Sequence, residues 1–538
     1  MRIQKLKNKI PRRIVLTTII LLPMVFGGVY LGVYFGIMVP DLTSFMEVPP
    51  DTSEFYDLAD INLTRLEEIG TEFEHLQDEH LPLNISQSIT RNATTGEVIY
   101  YHFTDNGQLH TIENLVASCL RYATLPLGAE KDYSLYLIRR MTDAMRLFIE
   151  VPNGGLGPMF PGEIVARFYA PPDRWNDGNY SANIFSDSSY RHFNGTNGKL
   201  IDESGTDYSQ WRMRLYTSKD ELAAYFGGLA ALLTLVQVPD IQFITRQIIL
   251  QLMEGMLSSF WQHMGGVEDP GKPDGVHFQP PSSAVWKLLL TKMATIVDPT
   301  NTKYKQLHHY YLSKERKVDN VFVVGKTDNL DNYYSHYFNS FVLLGLFLVE
   351  DDQDVLNIYF KNFHEKTYPS YRGHRNAMLN ALYLVGAEKT TRTTHFDLDA
   401  IRWDVLDQLW RFSVRGLVPF DTTIGGHNST INRTSLGVEW TTIDPNIAKW
   451  KDFVDNTWFG GLYKWLTYGL QDAIFEDRFL KPATVDMMRP KETIWNQNPY
   501  RETGEHVYDT TNTITQYAGA SFTLPYYILK YFDYLEVA

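Results

Sequence analysis

The stretch TSKDELAAYFGGLAALLTL places two adjacent carboxylates, Asp220 and Glu221, ahead of an apolar run broken only by Gly227 and Gly228. Two readings compete. Ser218 with Glu221 three residues later has the spacing of a capping box, and Asp220 in the first turn complements the helix dipole. The other reading gives the pair acid–base work, and it gains from what stands at the starts of other apolar runs. Glu113 and Asn114 open one, and His277 and Gln279 precede another. Tyr333, Tyr334 and His336 open a third, and Arg372, His374, Arg375 and Asn376 precede a fourth. If these runs are parallel helices, their starts line one mouth, where helix N-termini also favour anionic groups. Glu439, in the loop sequence GVEW, is a further carboxylate within reach of such a mouth.

Three chemistries fit these residue types. A glycosidase needs two carboxylates across the scissile bond, which Asp220 or Glu221 could supply with Glu113 or Glu439. A lyase or epimerase acting on uronic acids needs a base, an acid and a cation for the carboxylate, a set met by Tyr334, His336, Arg372 and His374. A non-catalytic surface module would use the same groove to bind a glycan or a protein. Each residue also has a plainer reading. His336 suits a hydrogen-bonded core histidine, Tyr333, Tyr334 and Tyr337 suit packing, and the arginines suit ion pairs. Gly227 and Gly228 suit close helix packing. The Gly-rich NGGLG, Asn153–Gly157, lacks the Lys-Ser/Thr of a phosphate loop, and no HExxH, GxSxG or EF-hand loop occurs.

The elements that must position these groups come in helical pairs from Glu113 onward. One member is apolar nearly all round, as in Ala223, Ala224, Gly227, Gly228, Ala230 and Ala231. The other is charged on one face, as in Arg139, Arg140, Asp143 and Arg146. A helix apolar on all sides is buried and a one-sided helix lies at the surface. Alternation of the two predicts an all-α domain, an α/α toroid of about five to six helical hairpins over residues 111–538. Long loops at 151–216, 263–281, 414–457 and 480–515 interrupt the pairs, and loops of that length usually carry function. Acidic loop residues Asp173, Asp177 and Asp187 could hold Ca²⁺ through oxygen ligands, although such loops are usually just solvated. No metal site or cofactor is assigned from the sequence.

Ahead of this domain, residues 1–13 form a basic tail with Arg2, Lys5, Lys7, Lys9, Arg12 and Arg13. Residues 14–39 carry no charge. As a helix they would span roughly 39 Å, more than the ~30 Å hydrocarbon core, so they predict a single transmembrane signal-anchor, with a cleaved signal peptide, whose apolar region is normally shorter, as the rival reading. Positive charge stays in the cytoplasm, which puts the main domain outside the cell membrane. Residues 40–110 read as a linker, a juxtamembrane helix over about 53–77, and a small hairpin turning at Asn106-Gly107. Sequons at Asn62, Asn84, Asn92, Asn179, Asn194, Asn428 and Asn432 all follow the anchor and suit external display. The net charge of −14, from 49 Lys+Arg against 63 Asp+Glu, argues against nucleic acid as a partner. The partners expected are the membrane and a glycan substrate or ligand. With Cys119 as the one cysteine, no intrachain disulfide can form.

The segments TIENLVASCLRYATL, PNGGLGPMFPGEIVARFYAPP, YTSKDELAAYFGGLAALL, NYYSHYFNSFVLLGLFLV and RGHRNAMLNALYLVG together resemble the α/α-toroid proteins with a six-hairpin glycosidase-like fold. The nearest resemblance is to secreted members with a Ser-Arg-Asp-Gln motif where this chain has Ser218-Lys219-Asp220-Glu221. The resemblance covers roughly residues 110–538 and implies a carbohydrate-active domain, glycoside hydrolase-like, with uronate lyase or epimerase and non-catalytic binding as alternatives. One fold hosts many functions, so the site itself must carry the argument.

Overall fold

The computed structural model describes residues 52–92, 94–102, 106–160, 162, 164–171, 190–192, 207–208, 211–214, 217–259, 261, 267–269, 272–273, 283–314, 333–370, 372–414, 440–441, 456, 478–479, 482–486, 488, 491–499 and 513–535. The predicted anchor at 14–39 lies outside them. Among the described residues no helix is long and apolar enough to cross a membrane.

The described chain is mostly helical. Its twelve α-helices are α1 (Leu63–Leu76), α2 (Gly107–Thr124), α3 (Ala129–Asn153), α4 (Lys219–Leu235), α5 (Pro239–Ser258) and α6 (Ser283–Val297). They continue with α7 (Thr302–Lys314), α8 (Tyr333–Val349), α9 (Gln353–Asn362), α10 (Ala377–Glu388), α11 (Leu398–Val414) and α12 (Ala520–Tyr531). The predicted contrast between helix types is present. α10 is buried from Ala377 to Gly386 and α12 from Ala520 to Leu529, whereas α1 and α9 bury one face and expose the other. The buried helices pack in sequence, α2 on α4, α4 on α8, α8 on α10, α10 on α12, and α12 back on α2. The helix α6 touches α4, α5 and α8. One-sided helices lie against their predecessors, α3 on α2, α5 on α4, α7 on α6 and α11 on α10, while α1 packs on α12 and α11.

The glycine pair sets the closest approach. A Cβ on Gly227 would meet the Phe341 carbonyl oxygen of α8 at 2.7 Å, and one on Gly228 would meet the Ile112 side chain of α2 at 2.8 Å. Consecutive helical residues point about 100° apart, so one pair of glycines lets two neighbours in.

Small sheets join distant parts. In one, β1 (Ile89–Asn92) pairs antiparallel with both β2 (Val98–Tyr101) and a late strand at Thr513–Gln516, with Ile89 opposite Tyr101 and Gln516. The hairpin therefore turns between Asn92 and Val98, where Asn92 Oδ1 accepts from the backbone N–H of Thr94 and Thr95 and Gly96 takes φ +74°. Asn106-Gly107 is not a hairpin turn but the start of α2. The helix expected over about 53–77 begins at Leu63, ten residues later than the sequence pattern indicated, because Asn62 caps it through a bond from Arg65 N–H.

Candidate functional site

A short segment, residues 491–499, ties α2, α8, α10 and α12 together. Thr493 Oγ1 donates to Glu113 of α2 at 2.8 Å. Ile494 N–H donates to Ser521 Oγ, and the Trp495 indole N–H to the Ser521 carbonyl at 2.6 Å, which fastens the segment to the first turn of α12. Asn376, the N-cap of α10, accepts from Leu379 N–H and donates to the Trp495 carbonyl at 2.9 Å and to the Tyr333 hydroxyl at 3.2 Å. Tyr333 opens α8, and its ring stacks on His374, whose Nδ1 lies 3.3 Å from the Tyr333 hydroxyl. The start of α4 joins through Arg167. This arginine pairs with Glu221 at 2.8 Å and donates to Asn106 Oδ1, just before α2. Residues that the sequence reading placed at helix starts are thus linked for α4, α8 and α10, whereas Glu113 stands six residues inside α2, which begins at Gly107, and α12 was not among the starts it named.

At the centre stands a group that the sequence reading overlooked. His110 lies between two carboxylates, its Nδ1 3.2 Å from Glu113 and its Nε2 2.9 Å from Glu492. Burial alone would push the imidazole pKa down, but the Glu492 charge and hydrogen bonds to both carboxylates hold it up at about 10. Both ring nitrogens then carry protons and donate. For Glu492, burial opposes ionisation and the His110 cation overcomes it, so its pKa falls to about 2. Ser88 Oγ also donates to Glu492 at 2.6 Å. The Glu492 side chain keeps 21 % of its surface exposed, while that of Glu113 keeps 1 %. Tyr337, one turn into α8, has its pKa raised first by burial and then by Glu113. His110 and Glu113 sit at i, i+3 on one helix face, a spacing that was visible in the sequence. Glu492 lies 379 residues beyond Glu113, inside a stretch read only as a loop.

The predicted site residues fall into three groups. Glu113, Asn114, Tyr333, His336 and His374 are all buried near this segment or beside residues that touch it. Burial lowers the His336 pKa to about 4, leaving a neutral imidazole whose ring lies 5.9 Å from that of Tyr333. Asn114 donates to Ser86 Oγ at 3.0 Å. Tyr334 packs edge-on against Phe338.

A second group serves packing or pairing. Glu221 is fully buried against Arg167, and Ser218, although it is the N-cap, makes no side-chain capping bond. The capping box is thus not what positions Glu221: a buried carboxylate is stabilised far more by a cation than by one backbone N–H. Arg375 has φ +55° and pairs with Asp404 and Asp407 of α11. Arg372 lies over the Phe396 ring at 4.0 Å.

The third group, His277, Gln279, Glu439 and the loop acids Asp173, Asp177 and Asp187, lies outside the described residues, as does the Asp220 side chain. Among the described residues no cluster of His, Cys, Asp and Glu could hold a metal ion. Of the sequons, Asn62 is an exposed helix cap. Asn84 donates to Asp143 at 3.1 Å through the nitrogen that a glycan would join. Asn92 has its side-chain oxygen in the hairpin turn. Asn179, Asn194, Asn428 and Asn432 lie outside the described residues.

The chain matches no protein-family model, no curated protein and no solved structure.

Proposed function

We propose that the chain is an α/α toroid of about six helical hairpins, held on the outside of a membrane by the apolar run at 14–39, and that it is carbohydrate-active in the manner of a glycoside hydrolase. The closed succession of buried helices, α2–α4–α8–α10–α12 and back to α2, supports the toroid. The observation that carries the site is the meeting of four buried helices, α2, α8, α10 and α12, at residues 491–499 with carboxylates, imidazoles and phenols among them. Glu492 is the acidic group best suited to meet a ligand. It is ionised, partly exposed and held by His110 and Ser88. An ionised carboxylate is what a glycosidase uses as nucleophile or base. The pairing of Glu113 with Glu492 is not itself the hydrolytic pair, because the His110 ring fills the gap between them. The protonated partner must come from elsewhere, and Asp220 and Glu439 are the carboxylates that the sequence offers.

A second reading has its own support. Glu221, Glu113 and Arg375 are already committed to partners inside the protein, as expected of a module that binds a glycan without cutting it. The test is incubation of the purified chain with a panel of neutral and uronate polysaccharides. New reducing ends support hydrolysis, and an ultraviolet-absorbing unsaturated uronate supports a lyase. Tight binding without product across the panel supports the binding module. Neither binding nor product would sink the carbohydrate reading.

A further inference from the structure

The cations described around residues 491–499 are already matched by carboxylates. Arg167 pairs with Glu221 at 2.8 Å. Arg375 pairs with both Asp404 and Asp407, and its side chain is 4 % exposed. Arg411 pairs with Asp407 at 2.7 Å and with Asp486 at 3.2 Å. The His110 cation is enclosed by Glu113 on one ring nitrogen and Glu492 on the other. Lys491, exposed, donates to Asn496 Oδ1 at 3.4 Å. Glu492 is placed differently. Ser88 Oγ donates to one of its oxygens and His110 Nε2 to the other, so the carboxylate is fixed in place. An ionised carboxylate has about four acceptor positions, and two are used here. Its exposed part therefore offers a ligand a fixed anion with acceptor capacity to spare.

Recognition of an acidic sugar draws on the opposite arrangement, an arginine fork left open for a carboxylate or sulfate. Here the forks of Arg375 and Arg167 are taken by the protein's own acids. The two residues that suited a uronate carboxylate in the sequence have other neighbours: Arg372 lies over Phe396 at 4.0 Å, and His374 stacks on Tyr333. An acidic sugar brought against Glu492 would set like charges a few ångströms apart in a partly desolvated mouth, where repulsion is several times stronger than in water. We infer, resting on the carbohydrate-active reading above, that Glu492 is a specificity-determining residue, through which the site takes uncharged saccharides and turns away those bearing carboxylate or sulfate. The carboxylate accepts from the hydroxyls of a neutral sugar, and it has no such bond to make with a sugar carboxylate at neutral pH.

The test has two arms, both on the full chain. The first reads the charge of the mouth without any saccharide. Gln497→Cys, half-buried, and Leu127→Cys, 94 % exposed at the far end, are each treated with an ethylammonium and an ethylsulfonate methanethiosulfonate, Cys119 being buried. The ratio of cationic to anionic reaction rates should be about fivefold higher at 497 than at 127 in low salt and should fall towards equality in 1 M salt. Adding Glu492→Gln should remove most of the excess. The salt series keeps the arm decisive if that variant does not fold. A ratio at 497 equal to or below that at 127, as Lys491 would produce if it set the local field, overturns the inference. In the second arm, the neutral polysaccharide that binds best is compared with its C6-oxidised form and the methyl ester of that form. Oxidation should weaken binding about tenfold or more, esterification should restore it, and Glu492→Gln should narrow the gap. Equal or tighter binding of the oxidised form overturns the inference. If no saccharide binds at all, the carbohydrate reading falls and the saccharide selection falls with it, while the first arm still decides the sign of charge at the mouth.

Discussion

Replacing Glu492 by Gln keeps the shape and removes one charge from the pair with His110. Burial of the imidazole leaves its cation dependent on the carboxylates at 2.9 and 3.2 Å. Breaking a buried ion pair costs about 3–5 kcal/mol. Glu113 remains, and Glu492 is partly exposed, so about 2–3 kcal/mol is expected here. At about 2.1 cal/mol/K per residue over roughly 430 residues, this lowers the melting temperature by about 3 °C.

The pH dependence is the sharper signature. The folded His110 pKa, about 10, lies above its ordinary 6.5. Its stabilisation is therefore full below pH 6.5 and is lost as pH rises towards 10. The folded Glu492 pKa, about 2, lies below its ordinary 4.5. Its stabilisation is present above pH 4.5 and is lost as pH falls towards 2. The two are one interaction seen from either partner. The gap between the wild-type chain and Glu492→Gln should thus be widest between pH 4.5 and 6.5 and close on both sides. Thermal unfolding followed by tryptophan fluorescence, at one scan rate from pH 3 to 10, measures it. A gap under about 0.5 kcal/mol, or one of constant size from pH 6 to 10, would refute the pairing.

Two further substitutions probe the frame around the site. Glu221→Ala leaves the Arg167 guanidinium without its carboxylate and should cost about 3 kcal/mol, more than a lost helix cap at about 1. Adding Arg167→Met to it should recover part of that loss in the same unfolding assay, and no recovery would mean the pair is not coupled. Gly227→Ala pushes a Cβ against the Phe341 carbonyl and should destabilise by about 1–3 kcal/mol, whereas Gly96→Ala, with open space around it, should show only the strain of its positive φ.

The helical frame was legible because burial writes itself into composition. α4, α10 and α12 are apolar on every side, and α1 and α9 are not. The shared end of the helices followed from that alternation, and Glu113, Tyr333, His374 and Arg375 were named from it. Local punctuation was less reliable. Asn106-Gly107 has the chemistry of a turn, yet Asn106 serves Arg167 and Gly107 starts a helix against Phe168 and Ile85. Ser218 and Glu221 have capping-box spacing, yet burial gives Glu221 to a cation from a loop 54 residues earlier. Glu492 could not be found at all, since its role comes from a fold that brings residues 110 and 492 within a hydrogen bond. For Arg375 a ligand contact and an ion pair both stood open, because nothing in its neighbourhood reveals Asp404 and Asp407 arriving on the next helix.

The central claim is that a saccharide is taken at the end where the buried helices begin. Hydrogen–deuterium exchange of the full chain, with and without the polysaccharide that scores highest in the panel, tests it most directly. The account predicts protection at residues 491–499 and in the first turns of α2, α8 and α10, weakened by Glu492→Gln. Protection confined to the opposite end, around Leu127 and the start of α5, would contradict it.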